Sequence, residues 1–221
     1  VVAGASAALG LASVLGWRHL LTHSSPSLGV DLRRWWQCLD RWDRGLVAGC
    51  VFCLSIYLLD AYTPPRSGDA MRYHLAQIED MVRNGRFVFR PYYHYNFPLY
   101  FSYLSMPVYF AVGGTGVKLL NFLLLAQVAA LTYGLSRAAR VVRPWTPVLG
   151  LLLTPSVLLA GTVVMNDMAV LCAGLAGILL LFNYQRLPRA SFLALGFVSF
   201  GLAMGLKYQS ALYLPWYLML A

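Results

Sequence analysis

Charge is what this chain has least of. Of its 221 residues only 11% are Asp, Glu, Lys or Arg, while 59% are hydrophobic; an ordinary soluble domain carries about 25% charged residues. That scarcity excludes a water-soluble globular fold and implies an integral membrane chain. Acids are scarcer still, eight against 17 Lys and Arg, for a formal net charge of +9. The basic residues fall in short clusters between apolar runs, so anchoring at anionic headgroups explains them and nucleic-acid binding does not. Cysteine is sparse as well: Cys38, Cys50, Cys53 and Cys172 lie in or beside apolar segments. The Cys50-Val51-Phe52-Cys53 spacing lacks the βαβ context of a redox motif, which leaves small buried apolar residues as its reading. No paired repeat with broken helices in both halves is visible, and this counts against a transporter. The chain starts without Met and stops inside an apolar run at Leu218-Met219-Leu220-Ala221, so it is read as a piece of a longer protein.

The apolar runs themselves predict an all-α, polytopic transmembrane bundle, since about 20 residues cross a 30 Å hydrocarbon core. Residues 1–17, rich in Ala and Gly, predict an N-terminal span or signal anchor. Residues 18–44 interleave Arg33, Arg34, Arg41 and Arg44 with Trp35, Trp36 and Trp42, the pattern of an interfacial cytoplasmic helix. Two divisions follow: 1–44, an N-terminal helix with an interfacial segment, and 45–221, the membrane module. Spans are expected at 45–61, 117–136, 144–164, 168–184, 191–206 and from 210 onward.

The most polar stretch, 62–97, forms the first external loop and bears one amphipathic helix. Tyr73, Ala76, Ile78, Met81 and Val82 share its apolar face, while Arg72, Glu79 and Arg83 point elsewhere. Asp69 opens that pattern, where free N–H groups and the helix macrodipole favour an acid. Residues 98–113 are apolar but short and carry Pro107, which argues against a simple crossing. Charge parity agrees: only if this segment lies flat or re-enters do Arg137, Arg140, Arg143, Arg186 and Arg189 join the earlier basic loop on the cytoplasmic side. Asp69, Asp167 and Lys207 then share the outer face. Ionisable groups at membrane depth are functional candidates, because an uncompensated charge there costs about 2.5–3.5 kcal/mol.

Five stretches, in this order and spacing, resemble the GT-C superfamily of polytopic glycosyltransferases, in the branch that holds protein O-mannosyltransferases and lipid A aminoarabinose transferases. They are Gly68-Asp69-Ala70-Met71-Arg72-Tyr73-His74, Asn96-Phe97-Pro98-Leu99-Tyr100, Lys118-Leu119-Leu120-Asn121, Asn166-Asp167-Met168-Ala169 and Gly205-Leu206-Lys207-Tyr208. The resemblance covers about 45–221. It implies a GT-C-type bundle in a bacterial or archaeal plasma membrane that transfers a sugar from a polyprenyl-phosphate donor to an acceptor hydroxyl of a protein, lipid or glycan. Asp69 and Asp167 are then catalytic, with Asp69 as the base. Lys207, Tyr208, Arg72 and Arg90 bind the donor phosphate, and His74, Tyr95 and Asn96 contact substrate. Many members carry an Asp-Glu pair in the first loop, and His-Pro-Pro or Lys-Pro-Pro where this chain has Asn96-Phe97-Pro98. Here Ala70 follows Asp69, so no cofactor is certain and a divalent metal at Asp69 and Asp167 stays open.

Each residue also has a plainer reading. Asp167 after Asn166 is a helix cap, Lys207 a lysine snorkelling to headgroups, Tyr92 to Phe97 an interfacial aromatic belt, Glu79 and Asp80 solvated acids, and Gly174, Gly177, Gly201 and Gly205 helix-packing positions. The rival function is a transporter or flippase of a lipid-linked or small polar solute; a third is a catalytically dead scaffold subunit.

Overall fold

The computed structural model describes residues 32–66, 68, 70–86 and 100–221, and among these all regular structure is helical. The chain divides after Gly45 into two compact units. In the first, α1 (Leu32–Cys38) ends where the Arg44 guanidinium donates to the carbonyls of Trp36 (3.1 Å) and Gln37 (3.0 Å). Asp40 accepts the Asp43 N–H at 2.7 Å and so caps the start of α2 (Arg41–Ala61). Trp36 and Trp42 are exposed. The expected span at 1–17 lies outside the described residues.

The second unit takes in α2 from Leu46 onward and holds the remaining helices. Past α2 come a π-helical turn (Ala70–His74), α3 (Leu75–Asn84), α4 (Tyr100–Ala138), α5 (Trp145–Leu153), α6 (Pro155–Thr162), α7 (Asp167–Arg186), α8 (Ala190–Leu206), a 3-10 turn (Tyr208–Tyr213) and α9 (Leu214–Leu220). Three helices, α2, α4 and α7, are long and apolar enough to cross a membrane, and α5 with α6 adds a fourth if counted as one span. The loop helix α3 is amphipathic as its pattern predicts: Leu75, Ile78 and Met81 are buried, Arg72 and Arg83 exposed. It stops at Gly85, whose φ of 64° is the left-handed cap that glycine adopts without penalty.

Two expected spans need correction. Residues 144–164 do not form one helix: the chain bends by 74° at Thr154-Pro155, because proline lacks the N–H and clashes with the preceding turn. The Tyr57 hydroxyl, donating to the Leu152 carbonyl, and the Asn121 amide, donating to the carbonyls of Ala160 (3.2 Å) and Val163, satisfy backbone groups on either side of the bend. From 210 onward there is first a 3-10 turn, and the apolar helix expected from 210 begins only at Leu214. Residues 98–113, expected to lie flat or re-enter rather than cross, are described from Tyr100 and form a helical arm of their own up to Gly113.

The 39 residues of α4 are two helical arms joined at a kink. The kink is at Gly113, with φ 74° and ψ −162°. A Cβ on Gly116 would stand 3.1 Å from Val108 Cγ1 and 3.3 Å from its carbonyl oxygen. Residues eight apart lie about 12 Å apart on a straight helix, so the chain doubles back at Gly113. The short arm therefore does not extend the crossing of the long one.

Helices α7 and α8 form an antiparallel pair. Gly196 lets them close, with no room for a Cβ, which would stand 2.9 Å from Leu181 Cδ2. At the far end of the pair Arg186 donates to the Ala138 carbonyl, so the arginine-bearing turns at 137–143 and 186–189 share one end of the bundle. The opposite end gathers a buried cluster of Ala70, Leu75 and Ile78 from the first loop with Phe101, Val117, Val164, Ala169, Ala203 and Leu206.

Candidate functional site

Because α7 starts where α8 stops, Asp167 at the head of one meets Lys207 just past the tail of the other. Lys207 Nζ and Asp167 Oδ1 are 2.6 Å apart, with 32% and 38% of their side chains exposed. Two buried bonds hold the frame beneath them. Asn166 Nδ2 donates to the Leu206 carbonyl at 2.9 Å, and the Ser210 hydroxyl to the Ala203 carbonyl at 2.8 Å. The first satisfies a carbonyl that the end of α8 leaves open; the second adds a donor to a carbonyl that already accepts the Lys207 N–H at 3.0 Å.

The plainer readings of these residues change accordingly. Asn166, not Asp167, occupies the cap position, and its side chain makes no capping bond because it reaches across to α8. Asp167 is the first residue of the helix. Lys207 is paired with a carboxylate rather than extended along apolar surface.

A cleft of about 80 Å³ opens over the pair. Its walls are Tyr73 and His74 from the π-helical turn, Met165, Asn166 and Asp167 before and at the head of α7, and Lys207, Tyr208 and Gln209 past α8. Small-molecule pockets run to roughly 300–1,000 Å³; this space admits a phosphate-sized group. The π-helix, a rare element that recurs at functional sites, sets His74 against Tyr73 (4.5 Å between rings) and edge-on to Phe101 (6.2 Å). Burial, and after it the Asp167 carboxylate, push the pKa of Tyr213 in the 3-10 turn above its ordinary value, so this phenol stays neutral beside the site.

The structure thus brings together four sequence-predicted residues, His74, Asp167, Lys207 and Tyr208. It sets Arg72 apart: that side chain is exposed on the π-turn and does not line the cleft. Asp69, Arg90, Tyr95 and Asn96 lie outside the described residues. Among the described residues no three metal-ligating side chains converge, and Asp167 already holds an ammonium where a cation would bind.

Two polar residues escaped the sequence reading of roles. Lys118, 4% exposed, donates to the Asp60 carbonyl (2.7 Å) and the Thr63 hydroxyl (2.9 Å), with Asp60 Oδ2 at 3.5 Å. It fixes the end of α2, from which the first loop departs, to the long arm of α4. Asn121, fully buried one turn on, ties α4 to α6. The signal was their position inside an apolar run, where a polar side chain needs a partner.

Compared with protein-family models, with curated proteins and with solved structures, the chain finds no match.

Proposed function

We infer that the chain is an integral membrane glycosyltransferase that moves a sugar from a polyprenyl-phosphate donor to an acceptor hydroxyl on the extracytoplasmic side. The observation that carries this reading is the partly exposed Asp167–Lys207 pair, set in a phosphate-sized cleft beside His74 and Tyr208 at the end of the bundle remote from the arginine turns. A hydroxyl becomes a competent nucleophile when a carboxylate takes its proton, and a departing phosphate needs cations or hydrogen-bond donors for its growing charge. Lys207 and Tyr208 supply those donors. Asp69, assigned from its motif, accepts the acceptor's proton; Asp167 is the second carboxylate, and Arg90, Tyr95 and Asn96 keep their motif roles at the donor and substrate. The acceptor oxygen bonds to the anomeric carbon with inversion as the bond to the phosphate oxygen breaks, and the electron pair leaves with polyprenyl phosphate.

The test is transfer from lipid-linked sugar donors in proteoliposomes. Asp69→Asn is expected to abolish transfer with the protein still folded, and Lys207→Ala to raise KM for the donor about tenfold or more, the weight of a charged hydrogen bond. Full activity in Asp69→Asn removes that residue from the mechanism.

The α5–α6 bend favours one other reading, a transporter or flippase, whose sites are built at broken helices. Uptake or lipid scrambling by the same proteoliposomes, without sugar transfer, selects it.

A further inference from the structure

Both charges of the Asp167–Lys207 pair are supported apart from one another. Asp167 sits in the first turn of α7, at the positive end of that helix's macrodipole; Lys207 follows the last turn of α8, at the negative end of its own. The frame does not depend on the pair either, since the buried Asn166–Leu206 bond joins the same two segments and the Ser210–Ala203 bond fastens the turn after Lys207 to α8. With about a third of each side chain exposed, water reaches both charges when they part. An ion pair of this kind is worth little net free energy, and here neither partner becomes a buried uncompensated charge. It is a contact that opens readily on a rigid base, facing a cleft of phosphate size.

We propose that Asp167 is an internal competitor for the anionic ligand of Lys207: an incoming phosphate group displaces the carboxylate from the ammonium, and the pair re-forms when the phosphate leaves. The exchange rests on the reading of Lys207 as the phosphate-binding residue. It adds that the resting site is occupied by its own acid, so that affinity for phosphate is set by the difference between two anions competing for one cation. Apparent affinity falls by the fraction of time Lys207 is free, and for a partly exposed pair that fraction corresponds to roughly a two- to sixfold weakening. The competitor also keeps a product phosphate from holding the site.

The experiment measures equilibrium binding of farnesyl monophosphate and, separately, of inorganic phosphate to the purified full chain in detergent micelles. Asp167→Asn is expected to tighten binding of at least one of the two by roughly two- to sixfold. The same change made on a Lys207→Met background is expected to give no gain, because the competed cation is gone. Asp167→Ser, which also removes the charge and keeps a short polar side chain at the helix start, is expected to repeat the gain should the amide variant fold poorly. Which probe the wild type binds more tightly identifies the source of the phosphate, a lipid headgroup or the free ion. Unchanged or weaker binding of both probes in Asp167→Asn and Asp167→Ser overturns the exchange, as does a gain that persists without Lys207. Sugar transfer is not part of the measurement, so a chain that shows the exchange but transfers no sugar refutes the enzymatic reading and leaves this one standing.

Discussion

Replacing Lys118 by Met removes one buried cation and keeps its stem, and the geometry says which of its contacts matters. The ammonium has two short contacts, to the Asp60 carbonyl at 2.7 Å and to the Thr63 hydroxyl at 2.9 Å, and one long one, to Asp60 Oδ2 at 3.5 Å. The long contact lies beyond ordinary hydrogen-bond range and the Asp60 side chain is 49% exposed, so the ion pair itself is worth about 0–1 kcal/mol. The short bonds, from a charged donor, are worth about 1.5–3 kcal/mol each. The Asp60 carbonyl keeps two donors after the change, the Thr63 hydroxyl at 2.8 Å and the Thr63 N–H at 2.9 Å, and the ammonium no longer has to be desolvated. Lys118→Met should therefore cost about 2 kcal/mol, or about 4–8 °C for a chain of this length, whereas Asp60→Asn should cost under about 1 kcal/mol. Thermal unfolding in detergent is read by maleimide reaction of the buried Cys50, Cys53 and Cys172, with the exposed Cys38 as baseline. If Asp60→Asn destabilises as much as Lys118→Met, the side-chain ion pair dominates and the argument from the carbonyl and hydroxyl is wrong.

Other expectations are as direct. A Cβ on Gly177 would overlap the hydroxyl of Tyr217, which is fully buried and donates to the Gly174 carbonyl at 3.0 Å. Gly177→Ala should cost about 1–3 kcal/mol by overpacking; Gly201→Ala, with nothing within 4 Å, should be neutral or stabilising by up to about 1 kcal/mol. Equal effects in the same unfolding assay would contradict the packing of α7 against α9. For topology, cysteines placed at Arg140 and Gln209, both exposed at opposite ends of the bundle, should react with an impermeant maleimide from opposite sides of the membrane, Arg140→Cys from the cytoplasm. Reaction of both from one side overturns the assignment of the arginine turns to the cytoplasmic face.

What the sequence makes legible here is the position of helix ends. A run of apolar residues has a length, and a polar residue closing it marks a boundary, so α2, α7 and α8 fall close to their expected limits. Arginines in turns then sort the ends: Arg186 reaches the end of α4, which places the turns at 137–143 and 186–189 together, as charge parity requires. The same ordering brings Asp167 to Lys207 across 40 positions of chain, because a helix up and a helix down of similar length return to one level. His74 was harder to place, since a loop helix carries no depth information of its own.

Bends and cross-helix bonds are a different kind of information. The bend at Thr154-Pro155 interrupts a stretch that is apolar on both sides, and hydropathy averaged over it does not change where the backbone turns, whereas the break at Gly113 falls where the apolar run 98–113 meets Gly113-Gly114-Thr115-Gly116. What lets each irregularity exist is supplied from elsewhere. Carbonyls flanking the Thr154-Pro155 bend are met by Tyr57 from α2 and Asn121 from α4, 95 and 39 positions away from the residues they serve. Gly114, next to the Gly113 break, leaves space into which Pro65 and Leu75 of the first loop pack, 3.0 Å and 3.4 Å from where a side chain would begin. In an apolar medium an unsatisfied backbone group costs several kcal/mol, so irregular backbone survives only where the rest of the bundle completes its bonds. A polar residue inside an apolar run, such as Lys118 or Asn121, is the mark such a completion leaves in a sequence. It announces that a partner exists, and only the packing of the helices says which.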